Sequence, residues 1–206
     1  MTRTKAPLQL DHPKPRLTLP AEPPRDVNEF LQAVPAYFKV AREASYPQYD
    51  EIIYTIRRPL THGAFERILA FAGHKNGGRD EDEQVFREVD QVLRSCVYPD
   101  VKPLAQLAKF GLDLRTASAV LHFYNPAYPF YDVASLAALR RLGQDVPFEL
   151  ALDENGLRAY AKFVQVVQDY KERIYWAFVP ECHYYLTRVI EGALWGMGAT
   201  MGAMGA

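Results

Sequence analysis

The chain has only two cysteines, Cys96 and Cys182, far apart in sequence. So small a supply leaves no disulfide framework and excludes a four-cysteine zinc or iron–sulfur site. Charge of either sign is equally scarce in excess: 24 Lys and Arg face 25 Asp and Glu, a formal net charge of −1. No global positive field would hold such a protein on a polyanion, and any nucleic-acid contact must come from a local patch. No apolar run reaches the length of a membrane span, and the first thirty residues lack the charged-then-apolar order of a secretory signal. A reduced, cytoplasmic setting and no membrane partner are therefore expected. His62 and His74 have no ligand partner at useful spacing. The adjacent side chains of Cys182 and His183 would diverge by about 100° on a helix. No metal is expected, and no segment keeps the two-residue alternation of a strand.

What is present is material for a helical core: 206 residues, 49% hydrophobic and 13% aromatic, enough for one domain or two small ones packed together. Residues 1–26 hold Pro7, Pro13, Pro15, Pro20, Pro23 and Pro24, a composition that disfavours helix and suits a flexible arm. From 27 to 196 the periodicity is helical, predicting helices over 27–45, 49–57, 61–74, 80–97, 101–110, 114–124, 133–142, 153–177 and 181–196. Thr61, the acidic run from Asp80 and Asp153 are start signals. Phe86, Val89, Leu93 and Cys96 recur at three- and four-residue steps and make a core stripe. Residues 197–206 are rich in glycine and are expected to be a flexible tail. The fold class is all-α.

One stretch carries chemistry. Between Ala105 and Gly143 stand Lys109, Arg115, Arg140 and Arg141 against Asp113 and Asp132, a locally positive segment. It reads as a short helix, a tight turn at Gly111 and a helix whose Ala117, Ser118 and Ala119 permit close backbone approach, a hairpin spanning about 101–124. A loop with Tyr124, Tyr128, Phe130 and Tyr131 follows, then Asp132 at the head of "VASLAALRRLG". Asp132 has two readings: the N-cap of that helix, or a carboxylate at a reaction centre. The rings likewise read either as core or as stacking surfaces. His122, beside Phe123, reads as packing, as do Trp176 and Trp195.

The run Gly111-Leu112-Asp113, "RTASAVL" (115–121), "PFYD" (129–132) and "LRRLG" (139–143) resembles the helix-hairpin-helix DNA glycosylase superfamily. The match is good over about forty residues, with a weaker likeness extending to "YYLTRVIEGALWG" (184–196). The resemblance implies a two-lobed helical fold, double-stranded DNA as partner and location with the nucleoid in a bacterial cell. It also implies a base flipped from the stack into a pocket between lobes. Lys109, Gly111, Leu112 and Arg115 would then face DNA phosphate, Tyr128 and Tyr131 would line the base pocket, and Asp132 would act at the sugar. Members that cut the backbone carry a lysine where this chain has Arg115, and a guanidinium is no practical nucleophile; Arg115 would instead hold a phosphate or pair with Asp132. The expected activity is therefore a monofunctional DNA N-glycosylase of base excision repair, without lyase activity and without metal, iron–sulfur cluster or organic cofactor. Asp113 stands at the family's second hairpin glycine and puts negative charge near the phosphate site. That departure favours a rival, a non-catalytic helical module that binds DNA structure or a protein on the same scaffold.

Overall fold

The computed structural model describes residues 18–55, 60–73, 83–174 and 186–204. Among them are seven α-helices and one 3₁₀ helix, and no strand. The organising element is α4 (Leu114–Tyr124), of which ten of eleven residues are buried. A helix buried on nearly all sides belongs inside a fold, and the small side chains of Ala117, Ser118 and Ala119 allow neighbours to close on it. It begins at Asp113, whose side chain accepts the Thr116 amide at 2.7 Å. The 3₁₀ helix Lys102–Phe110 precedes it and ends at Gly111, whose φ of +74° is a left-handed conformation that suits glycine. A helix, a glycine turn and a second helix therefore follow one another in the expected order, the first wound as 3₁₀ rather than α.

The other helices are α1 (Val27–Thr55), α2 (His62–Phe71), α3 (Glu83–Ser95), α5 (Val133–Arg141), α6 (Glu154–Ile174) and α7 (Leu186–Met204); α2 and α6 pack on α4, and α1, α5 and α6 on α7. The Thr61 hydroxyl caps α2 as its position suggests, accepting the Ala64 amide. The α3 stripe of Phe86, Val89, Leu93 and Cys96 is buried, and burial pushes the Cys96 thiol up to about 11. Buried residues from all eight helices form one continuous core.

Two expectations are corrected. The helices predicted over 27–45 and 49–57 are one, because α1 runs through both Pro35 and Pro47; burial of Phe30, Val34, Tyr37, Ala41, Tyr49 and Ile52 along it outweighs the two lost amide donors. The tail expected to be flexible from 197 is helical as far as Met204. Its glycines serve packing. A Cβ on Gly196 would stand 2.2 Å from the Tyr37 carbonyl oxygen, and one on Gly198 1.9 Å from that of Ala134. Helix α7 thus lies against α1 on one side and α5 on the other at a separation that side chains would forbid. Residues 1–17 of the Pro-rich arm, the acidic start at Asp80 and the positions of His74, Trp176, Cys182 and His183 lie outside the described residues. Among those described, no helix is long and apolar enough to cross a membrane.

Candidate functional site

The close approach of α7 to α1 and α5 leaves a cleft of about 200 Å³ beside the head of α5. Helix α1 contributes Phe38, Ala41 and Tyr49; α2 contributes Phe71; α4 contributes Arg115. The loop before α5 adds Phe130 and Asp132, and α7 adds Arg188, Glu191, Gly192 and Trp195. Five rings therefore wall a space that also holds two carboxyl and two guanidinium groups.

The loop after α4 is stitched to the core through its backbone. The His122 Nδ1–H donates to the Tyr128 carbonyl at 2.7 Å, the Tyr160 hydroxyl to the Pro129 carbonyl at 2.9 Å, and the Tyr131 amide to Ser118 Oγ at 3.0 Å. Buried backbone polar groups need such partners, and their effect is to fix residues 128–132. Asp132 is extended, with φ −129° and ψ 149°, and successive side chains of an extended segment point to opposite sides. Phe130 and Asp132 consequently face the cleft while Tyr131 faces away.

Asp132 is only 6% exposed, and both of its readings apply to one side chain. Its Oδ1 accepts the Ala134 amide at 2.8 Å and caps α5. Its Oδ2 receives Arg115 Nε at 3.2 Å and Nη2 at 3.1 Å, and the side chain borders the cleft. Arg115 is the one residue of α4 that is not buried. Its Nη1 donates to the Ala72 carbonyl at 2.6 Å, at the C-terminal end of α2, and its guanidinium lies 5.6 Å from the Phe130 ring centre. Of the two partners open to Arg115, a phosphate and Asp132, the side chain engages Asp132.

Behind the cleft lies a buried network. Tyr49 Oη and His122 Nε2 are 2.5 Å apart. The Tyr128 carbonyl on the other ring nitrogen can only accept, so the proton sits on Nδ1 and Nε2 accepts from the tyrosine. Burial pushes the imidazole down to about 4, which makes His122 a neutral packing residue at ordinary pH. The Arg188 guanidinium stacks 3.6 Å from the Tyr49 ring centre. Glu191, buried at 6% exposure, is pushed up to about 8, first by burial and then by the nearby negative charge of Asp132, with Arg188 opposing.

The other residues predicted for the site fall elsewhere. Tyr131 and Tyr128 do not line the cleft: the Tyr131 hydroxyl donates to the Pro147 carbonyl at 2.6 Å, with its ring against Tyr160 and Phe163, and the Tyr128 hydroxyl donates to the Asp100 carbonyl at 3.0 Å. Both are core. Leu112 is buried, Gly111 is exposed at the hairpin turn, and Lys109 is held by Glu88 at 2.5 Å. The sequence reading missed Tyr49, Phe38, Phe71, Arg188 and Glu191, and took Trp195 for core. A signal existed in "LTRVIEGALWG": Arg188, Glu191 and Trp195, three and four residues apart on a mostly apolar helix, share one face. Among the described residues no three His, Cys, Asp or Glu side chains stand close enough to hold a metal ion. Comparison with protein-family models, with curated proteins and with solved structures found no match.

Proposed function

We propose that this protein is a monofunctional DNA N-glycosylase of base excision repair, with a two-lobed helical fold whose cleft receives a base flipped from duplex DNA. The observation that carries the reading is the Asp132 carboxylate at the border of an aromatic-walled cleft of about 200 Å³. A cavity of roughly 150 Å³ holds a benzene ring, and drug-sized ligands occupy roughly 300–1,000 Å³. A single planar heterocycle fits between these limits. Rings stack on either face of such a ligand, which repays part of the cost of extruding it.

In this reading Asp132 stands at the sugar of the inserted nucleotide. Negative charge there stabilises the positive charge that develops on the sugar as the base departs, and the same oxygens can orient the attacking water. Arg115 is a positioning residue. Its two hydrogen bonds to Oδ2 fix the Asp132 rotamer, and it offers no amine for a Schiff base. The reaction accordingly ends at an abasic site, and no metal or organic cofactor takes part.

The test is Asp132→Asn. Asparagine is as good an N-cap as aspartate, so the Ala134 amide keeps its acceptor and the fold should persist. Base release from duplexes bearing uracil, alkylated purine, 8-oxoguanine or a mismatch, read as alkali-induced strand cleavage, should fall on the order of a hundredfold or more. Full turnover by the variant would remove the catalytic assignment. A second reading is favoured by the ion pairs of Lys109 with Glu88 and of Arg115 with Asp132, which already occupy the hairpin's cations. On that reading the scaffold is a non-catalytic module for DNA structure or a protein partner, and the wild type binds duplex without releasing any base.

A further inference from the structure

Glu191 is the carboxyl in the cleft that neither the cap of α5 nor the proposed reaction employs. It projects from α7 one turn after Arg188 and one turn before Trp195, and all three border the cleft. The following residue, Gly192, is pressed so close to α1 that a Cβ there would stand 2.9 Å from the Phe38 ring. With the wall shut on that side, the cleft is the space left to the Glu191 carboxyl. Among the described residues no hydrogen bond or ion pair engages it, the residue is only 6% exposed, and its side chain borders the cleft. A polar group that has lost most of its water and has no protein partner is completed by whatever its cavity holds.

The charged and titratable groups that face it decide its form. Asp132, at the head of α5, repels an ionised neighbour. Arg115 on α4 is committed to Asp132 and to the Ala72 carbonyl. Arg188, on the same helix as Glu191, is stacked on Tyr49, and Tyr49 on α1 donates to a neutral His122. Only Arg188 favours the anion, against both burial and Asp132, so the carboxyl keeps its proton at neutral pH. A protonated carboxyl is a donor and an acceptor side by side.

We infer that Glu191, the buried carboxyl on the α7 wall of the cleft, is its specificity-determining residue, meeting the edge of a planar heterocycle that carries an adjacent acceptor and donor. This rests on the cleft being a base pocket and narrows its occupant. A ring nitrogen beside an exocyclic amine, or a ring carbonyl beside an N–H, accepts from the acid O–H and donates to its carbonyl oxygen. The surrounding rings hold the plane; Glu191 fixes which edge enters. A site built to pair an edge in this way discriminates strongly against an analogue lacking one of the two groups, because its own buried polar atoms would be left unpaired.

The test uses the full chain and free bases, so that it needs neither DNA nor catalysis. Adenine is titrated by calorimetry into wild type, Glu191→Gln and Glu191→Leu, with 6-dimethylaminopurine, which lacks the amine donor, as the comparison ligand. Circular dichroism establishes that each variant is folded. Wild type should bind adenine at about pH 6.5, discriminate against the dimethylated analogue by about tenfold or more, and lose about tenfold in affinity by about pH 9.5 as the acid ionises. Glu191→Gln, which offers the same donor and acceptor without titrating, should bind within about threefold of wild type at both pH values. Glu191→Leu should bind about tenfold more weakly or worse. Equal, pH-independent binding by wild type and the leucine variant would overturn the inference, as would failure of wild type to bind adenine at all. Adenine binding with the expected pattern but no base release from any duplex would leave Glu191 in its role and remove the glycosylase reading. Base release unaltered in the leucine variant would do the opposite.

Discussion

Phe130, Tyr131 and Asp132 are consecutive, yet their surroundings differ because an extended backbone sends alternate side chains to opposite sides. Sequence proximity to Asp132 suggested Tyr131 for the pocket; alternation places Phe130 there and puts Tyr131 in the core. The two buried titratable groups near the cleft make a prediction at this scale. His122 falls from its ordinary 6.5 to about 4, so between those values the unfolded chain binds a proton that the native chain refuses, and stability falls as pH drops. Glu191 rises from 4.5 to about 8. Between those values the native chain holds a proton that the unfolded chain has released, and stability falls as pH rises. The slopes oppose one another from about 4.5 to 6.5, and the Glu191 contribution stands uncompensated from 6.5 to 8. Urea unfolding should show wild type losing on the order of 2 kcal/mol more than Glu191→Gln between pH 6.5 and 8. Parallel curves for the two proteins would mean that Glu191 is ionised throughout that range.

Helix α7 shows how an element acquires its place from side chains it does not have. Glycine in a helix interior costs about 1 kcal/mol relative to alanine, and a run such as "GMGATMGAM" would not hold a helix in isolation. In the fold, Gly196 and Gly198 meet the backbones of α1 and α5, and the contact that follows compensates for the poor propensity. Gly198→Ala should therefore lower stability by about 1–3 kcal/mol despite its better helix former, because the methyl group would be driven into the Ala134 carbonyl. Gly202→Ala, with open space around its Cβ, is the matched comparison and should be neutral or slightly stabilising. Thermal unfolding of both variants separates the effects; equal behaviour would show that close approach does not fix α7. Most other element boundaries were legible because they carry their own signals. Thr61, Asp113 and Asp132 are caps, Gly143 has a φ of +75° just after α5, and α4 and α5 begin where predicted.

For the whole molecule, a net charge of −1 means that the proposed DNA binding would depend on a few local cations. The hairpin offers Lys109 at its surface, engaged by Glu88, with Asp113 at the turn. If the hairpin faces a phosphate, Glu88→Gln should release Lys109, raise affinity for a duplex severalfold and steepen the dependence of log affinity on log salt by about one. Fluorescence anisotropy between about 50 and 200 mM salt measures this. An unchanged slope would place the DNA-facing surface elsewhere and leave the cleft without its proposed route of supply.

The sequence by itself determined the all-α class, the caps, the hairpin turn and the joint placement of Arg115 and Asp132 near one loop, because each depends on local geometry or on residues close along the chain. The composition of the cleft was decided only by tertiary structure. Tyr49, Phe71, Arg188, Glu191 and Trp195 come from α1, α2 and α7, the last far along the chain from the other two, and the state of a carboxyl such as Glu191 is set by the water it loses and the charges folded against it. Neither quantity exists until the chain closes on itself.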